Sequence, residues 1–251
     1  MSAVHLPPAL RAAIDADLRP VRPLARPGRR ALALLPLGIA LLIGMPAFWV
    51  WSRHITALAP WPWWGFSPLE TAAGLIVLAA AFREAVPGRE LSGIALSALV
   101  AVAWAGFLAI NLASAVAVDV PSETVVRWIR DCIVMTTTFS VPALAIPAWL
   151  VSRALPNRPA VTGALCGLGV GLMSDAGLRM LCWNGEEVHV LAAHGGAIAM
   201  LMALGAASAV AVERSKARTR GVAENARRRR AGCLRTATLE FVRRSASGRR
   251  G

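Results

Sequence analysis

Long runs of apolar residues limit what this chain can fold into more than any other feature. Runs of about 18 or more apolar residues are typical of transmembrane helices. Only 16% of the residues are charged, which is too few to cover a soluble domain of this length. The sequence therefore predicts an all-α integral membrane protein, a bundle of six transmembrane helices. The predicted spans cover about 31–51, 66–83, 92–116, 132–152, 159–182 and 188–212.

The positive charge of the chain lies at its two ends. The net charge is +13, and residues 213–251 hold 13 Arg and Lys against three Glu. Residues 1–30 contribute a further +4. We therefore divide the chain into an N-terminal segment, a transmembrane domain at 31–212 and a basic tail that we expect to be disordered. Because basic loops face the cytoplasm, we predict a cell inner membrane protein with both termini cytoplasmic.

The N-terminal segment has the pattern of a short amphipathic helix. Pro7 and Pro8 are suited to begin this helix and Pro20 to end it. Such a segment can fold into the groove of a partner protein or lie on the membrane surface, and the pattern does not separate the two. The candidate partner-binding residues are Leu10, Ile14, Leu18, Arg19 and Arg22.

Small residues and prolines predict how two of the spans pack. Gly163, Gly167 and Gly171 repeat every four residues in the fifth span, a spacing that lets helix backbones approach closely. Pro142 and Pro147 should kink or break the fourth span unless its neighbours satisfy the freed carbonyls.

Two of the four cysteines are candidate signal-sensing residues. Cys132 begins the fourth span and Cys182 ends the fifth, so the hairpin between these spans places both thiols on one membrane face. The charge rule makes this the outer face, which is the oxidising periplasm in a Gram-negative cell. The pair can form a disulfide, report the redox state, or simply fill two helix ends. Cys166 is expected to pack in the core, and Cys233 to remain reduced in the tail.

Two histidines follow Cys182 and extend the possible chemistry of this face. His189 and His194 begin the sixth span, and two imidazoles with two thiols can bind a soft metal ion. Their spacing matches no closed zinc motif, and packed histidines are the commoner case. Asp175 and Arg179 are four residues apart, which favours an ion pair that eases insertion into the membrane.

The remaining motifs exclude several functions. The run Arg227 to Arg230 lacks interleaved aromatic residues, so we expect the tail to bind anionic lipids rather than nucleic acid. No nucleotide-binding loop, nucleophile elbow or H-E-x-x-H motif is present. We therefore expect no enzyme activity and no firm cofactor.

Several short stretches resemble the NrsF-type membrane anti-sigma factors. These are Asp17-Leu18-Arg19-Pro20-Val21-Arg22-Pro23-Leu24 before the first span, Cys132 at the start of the fourth, Arg158-Pro159-Ala160 through Gly163, Ala164 and Gly167 to Leu181-Cys182, and His194. The resemblance covers about 1–212. The sequence departs from the pattern at Trp183, where proline is more usual, and in its arginine-rich tail.

The resemblance implies a function and a mechanism. The N-terminal segment would hold an extracytoplasmic-function sigma factor at the inner membrane, away from RNA polymerase. Cys132 and Cys182 would sense stress and release the sigma factor. The alternatives are a small-molecule or ion transporter, which needs polar residues converging near the middle of the bilayer, and a structural membrane subunit.

Overall fold

The computed structural model describes residues 7–17, 25–53, 64–113, 122–154, 156–182 and 184–247. Throughout that part of the chain the regular structure is helical, and it contains no strand. The α-helices are α1 (Pro8–Asp17), α2 (Pro27–Leu32), α3 (Leu35–Ile39), α4 (Met45–Arg53), α5 (Ser67–Glu84), α6 (Gly93–Ala113), α7 (Ser122–Ser152), α8 (Pro159–Leu178), α9 (Glu187–His189) and α10 (Gly196–Ser247). Two π-helical segments, Ala40–Gly44 and Val190–Gly195, join α3 to α4 and α9 to α10.

Five helical stretches in the described residues are long and apolar enough to cross a membrane. They are Pro27–Trp51, Gly93–Ala113, Val126–Ser152, Pro159–Leu178 and Glu187–Gly221. Helix α5 covers the second predicted span but is not among these five. It carries Glu70, Arg83 and Glu84, and both carboxylates are buried inside the bundle. The sequence thus predicts the position of this helix correctly, while its polar residues make it less apolar than the others.

The first stretch contains a local widening of the helix with a clear cause. Pro46 has no N–H to offer, and its ring clashes with the carbonyl one turn earlier. The backbone before it takes the π-helical form of Ala40–Gly44 and so stays helical. Helix α7 also continues through Pro142 and Pro147, so neither proline breaks the fourth predicted span.

Helix α8 is the centre of the bundle. In its most apolar part 89% of the residues are buried, whereas the corresponding share in the other four apolar stretches is 11–33%. A Cβ atom at Gly163 would collide with the Gly205 carbonyl, and one at Gly167 with the Leu201 carbonyl. The predicted close approach of a glycine face is confirmed at these two positions, where α8 meets α10.

A second face of α8 packs equally closely on α5. A Cβ atom at Gly169 would come within 2.8 Å of the Gly74 carbonyl oxygen, and one at Gly74 within 2.6 Å of the Gly169 carbonyl oxygen. Further along α8, a Cβ at Gly177 would collide with the Leu41 carbonyl in the first π-helical segment. Three helical stretches therefore touch the α8 backbone directly.

Contacts at the end of the bundle away from Cys182 show where the chain enters and leaves it. Arg30 donates to the Leu150 carbonyl at 2.8 Å, near the end of α7. Lys216 donates to the carbonyl of Ser152, the last residue of α7. The two basic side chains flanking the membrane domain therefore lie at the same end of the bundle. Arg158 and Glu84 form an ion pair of 3.0 Å, and Glu84 also accepts from the Leu91 N–H.

The structure agrees with the sequence prediction in the N-terminal segment and differs from it in the C-terminal tail. Helix α1 begins at Pro8, as the proline pattern predicts, and the side chain of Leu10 is 48% exposed. Residues 213–247 continue α10 as helix, whereas the charge pattern of the tail predicts disorder. This part of the chain is rich in Arg and Ala, which favour helix, and holds no proline. Extending an existing helix also avoids the cost of nucleation.

The glycine contacts of α8 can be tested by one methyl group. Gly167→Ala forces the Leu201 carbonyl to move and is expected to reduce the free energy of unfolding by about 1–3 kcal/mol. Gly106→Ala in α6 is the matched control, since no atom lies within 4 Å of its added Cβ. Thermal unfolding in detergent measures both variants. Equal melting temperatures for Gly167→Ala and the unmodified protein would contradict the close packing.

Candidate metal and thiol site

The candidate site lies where three helical stretches meet at one end of the bundle. Cys132 lies in the N-terminal half of α7 and is 7% exposed, and Cys182 follows the end of α8. His189 ends the short helix α9, and His194 lies in the π-helical segment after it. Both imidazoles are buried. The four residues that the sequence analysis names as candidate metal ligands are thus brought together.

Distances among these groups are short. The Cys132 Sγ lies 3.6 Å from the Cys182 Sγ and 3.7 Å from the His189 Nε2. The Cys182 Sγ lies 3.1 Å from the same Nε2. With His194 included, one ligand atom from each residue falls within 4.8 Å of all the others. The two sulfurs are not bonded, and Cys132, Cys166 and Cys182 are all free thiols.

The π-helical segment explains how both histidines reach the thiols. His189 and His194 are five positions apart, which in a regular α-helix places side chains on different faces. A π-helix has more residues per turn, so positions five apart come into line. The two rings lie 5.4 Å apart, centre to centre. No sequence pattern used above distinguishes this segment from an ordinary helix.

Behind the site lies a cluster of buried ionisable side chains. The His194 Nδ1 lies 2.6 Å from the Asp175 Oδ1, and both residues are at least 97% buried. Arg179 and Glu70 are each only 1% exposed, and both influence Asp175, Arg179 by its charge from just past the end of α8 and Glu70 from α5. The Arg179 Nη2 is 3.5 Å from the Ile110 carbonyl of α6. Asp175 therefore contacts His194, and Asp175 and Arg179, which the sequence pairs with each other, belong to a larger buried cluster.

Cys182 has the electrostatics of a reactive thiol. It lies beyond the end of α8, and the hydrogen bond from the Cys132 thiol lowers the pKa of Cys182 well below its ordinary value. The neighbouring imidazoles of His194 and His189 add to this effect and outweigh the opposing effect of burial. Because the thiolate is both the nucleophile and the metal ligand, Cys182 is prepared for either reaction.

A cavity gives access to the thiols. Its volume is about 270 Å³, and it lies beside Cys132 and Cys182 at the start of α7. Asp131 and Asn184 contribute polar groups to its wall, and the Asp131 side chain is 48% exposed. The Asp131 carboxylate forms an ion pair of 3.3 Å with Arg130.

Comparison with known proteins identifies the family. A family model described as NrsF, negative regulator of sigma F, matches residues 15–214. The chain belongs to this family. Its members are named as negative regulators of a sigma factor, so the partner of this chain is a sigma factor. No curated protein and no solved structure matches the chain.

The site residues of this NrsF member were found from the sequence to different extents. The sequence points to Cys132 and Cys182 because the hairpin between two spans brings both to one face. It points to His189 and His194 because they follow Cys182 closely, but it does not predict the contact of Asp175 with this site. The spacing of Asp175 and Arg179 suggests a local pair, and the contact with His194 crosses 19 residues. Among the candidate partner-binding residues, Leu18, Arg19 and Arg22 lie outside the described residues, and so does the side chain of Ile14.

The low pKa of Cys182 predicts the pH dependence of its alkylation. A lowered pKa means that the thiolate persists as the pH falls, so the midpoint for iodoacetamide modification should lie below that of a free cysteine, about 8.5. Cys132→Ala removes the main cause and should move the midpoint upward. Mass spectrometry of chelator-treated protein locates the modified residue. Identical midpoints before and after the substitution would rule out the hydrogen bond as the cause.

Proposed function

We propose that this chain is an inner-membrane anti-sigma factor that holds an extracytoplasmic-function sigma factor and releases it when Cys132 and Cys182 react with a signal. Membership of the NrsF family supports the partner. The single observation that supports the sensor is the group of two thiols and two imidazoles within 4.8 Å, at the end of the bundle away from Arg30 and Lys216.

Six crossings account for the arrangement of the contacts. Helix α5 has 18 residues, about 27 Å of helix, which is close to the thickness of a bilayer core. Glu70 at its start lies beside Asp175 near the thiol site, and Glu84 at its end pairs with Arg158 at the opposite end of the bundle. With α5 as the second crossing, both basic ends of the chain face the cytoplasm and the thiols face the periplasm.

The N-terminal segment is the proposed site for the sigma factor. Helix α1 presents Leu10 to solvent, and an exposed apolar residue on a short helix suits a groove on a partner protein. The segment leads directly into the first stretch, Pro27–Trp51, so it is tied to the membrane. The basic tail then binds anionic lipids of the same leaflet, and neither segment contacts nucleic acid.

The donor set at the thiol site suits a soft metal ion. In a tetrahedral zinc site, bonds of about 2.3 Å to sulfur and about 2.0–2.1 Å to nitrogen place the ligand atoms roughly 3.3–3.8 Å apart. The distances of 3.6 and 3.7 Å fit this range and the 3.1 Å distance is slightly shorter. The buried His194 Nε2 has no hydrogen-bond partner in the described part of the chain, so it is free to bind a cation. Thiolates and imidazoles together favour Zn²⁺ or Cd²⁺ over harder cations.

The same two sulfurs also permit redox sensing. Closing a disulfide requires the sulfurs to move from 3.6 Å to about 2.05 Å apart, a small shift for two helix ends. The two thiols lose two protons and pass two electrons to an external oxidant, which is the signal. Either event changes how the ends of α7 and α8 are held together. Because Gly177 of α8 touches the Leu41 backbone of the first stretch, a shift of α8 displaces the helix that carries the N-terminal segment. The signal is regulatory and requires no catalysis.

Removing either thiol should abolish the response. Cys132→Ser and Cys182→Ser leave a hydroxyl that binds soft metals weakly and forms no disulfide, so the sigma factor should remain bound under stress. A transcriptional reporter dependent on the sigma factor, measured with and without Cd²⁺ or an oxidant, tests the prediction. Cys166→Ala is the matched control, since this thiol is buried in the bundle away from the site. Normal induction in both serine variants would end the sensing proposal.

Loss of the N-terminal segment should abolish sigma-factor binding without loss of the membrane domain. The full chain, purified from membranes, is expected to carry a sigma factor, and a chain lacking residues 1–25 is expected to carry none. Quantitative mass spectrometry of the two preparations measures the difference. Equal recovery of the sigma factor would assign the binding surface to another cytoplasmic part of the chain.

A further inference from the structure

The two imidazoles of the thiol site have different supports. The Nδ1 of His189 is buried and has no hydrogen-bond partner among the described residues. The Nδ1 of His194, by contrast, lies 2.6 Å from the Asp175 Oδ1. A metal-bound histidine usually donates its second N–H to a carboxylate or a carbonyl, which fixes the ring and its tautomer. His194 has this partner in place.

Geometry determines what this contact does to His194. A carboxylate oxygen accepts a hydrogen bond, so Nδ1 carries the proton and donates. The lone pair available for a metal is then on Nε2, the atom that is buried without a partner. A ring free to rotate has no such preference between its two nitrogens. Asp175 thus turns one particular atom of His194 to the thiols.

Two further ionisable side chains act on Asp175. Arg179 lies one turn beyond Asp175, just past the end of α8, and Glu70 approaches from α5. A carboxylate that is 1% exposed inside a membrane bundle is expensive unless it is compensated. An ion pair that merely eases insertion needs no such burial and no contact with a residue 19 positions away. Ionisable residues buried in a bundle mark functional sites by default.

We propose that Asp175 is the positioning carboxylate of a metal site formed by Cys132, Cys182, His189 and His194. The hydrogen bond to His194 Nδ1 orients the imidazole so that Nε2 completes a four-ligand set for Zn²⁺ or Cd²⁺. This inference rests on the proposed metal sensing at the thiols, and it assigns to Asp175 a role that acts only through His194.

The test is metal affinity of the full-length protein in detergent. Cd²⁺ is titrated in competition with a chromophoric chelator, and Co²⁺ provides a visible spectrum that reports the ligand set. Asp175→Asn keeps the size of the side chain but replaces the carboxylate with an amide, which is a weaker acceptor and can turn its NH₂ toward Nδ1. An N–H facing Nδ1 disfavours the tautomer that leaves the Nε2 lone pair available. Loss of such a support typically weakens metal binding 10–100-fold, which is the expected result. Ser174→Ala is the matched control, since Ser174 is the preceding buried residue on α8.

A double-mutant cycle separates positioning from a general effect on the fold. His194→Ala alone should weaken Cd²⁺ binding, and Asp175→Asn added to it should cause no further loss. The Co²⁺ spectrum of Asp175→Asn should approach that of His194→Ala, while the bands from the two thiolates persist. Asp175→Val, which offers Nδ1 no acceptor, is the second variant if Asp175→Asn does not accumulate in membranes, with the same expected loss.

The outcomes distinguish this inference from the function on which it rests. If the unmodified protein binds Cd²⁺ and Asp175→Asn binds it equally well, the role of Asp175 is wrong and the metal site stands. Independent losses that multiply in the double variant also overturn it, because Asp175 then acts without His194. If the unmodified protein binds neither Cd²⁺ nor Co²⁺, metal sensing itself fails, and the inference fails with it.

Discussion

Direct contact between helix backbones along α8 is the constraint on which the rest of the structure depends. Lipid provides no hydrophobic force that drives helices together, so the bundle relies on close packing of small residues. Gly163 and Gly167 admit the carbonyls of α10, and Gly169 and Gly177 admit those of α5 and the first stretch. With no side chain between these backbones, the position of each helix along α8 is fixed, and so is the place where the end of α8 meets its neighbours.

That fixed position brings polar groups together at the thiol end of the bundle. Asp175, Arg179, His194 and Glu70 are all buried there, and each is costly to bury alone. Opposite charges offset much of this cost, but an apolar cluster of the same size would be at least as stable. Their presence is therefore better explained by the site they support than by the stability of the fold. The free thiols next to them, with the pKa of Cys182 lowered, are the reactive part of that arrangement.

Sequence patterns predict this structure where the physics is local, and they predict less of it where contacts are long-range. Apolar runs predicted the helices, including α5. Burial of its Glu70 and Glu84 inside the bundle, with Glu84 paired to Arg158, is a tertiary feature that hydropathy does not show. The hairpin between the fourth and fifth spans was enough to place Cys132 and Cys182 together. The partner of Asp175 was missed because the i,i+4 spacing to Arg179 is visible in the sequence, whereas a contact with His194 through a π-helical segment is not.

By itself, the sequence determined that this chain forms apolar helices, that its basic segments flank them, and that two cysteines end on one face. Each of these follows from hydrogen bonds and hydropathy within a single helix, which needs no partner. Only the tertiary structure decided which side chains meet at that face. Helix rotation and depth are set by contacts such as that of Gly167 with the Leu201 carbonyl. A rotation of one residue, about 100°, would turn Asp175 away from His194, and no single-helix property prevents it.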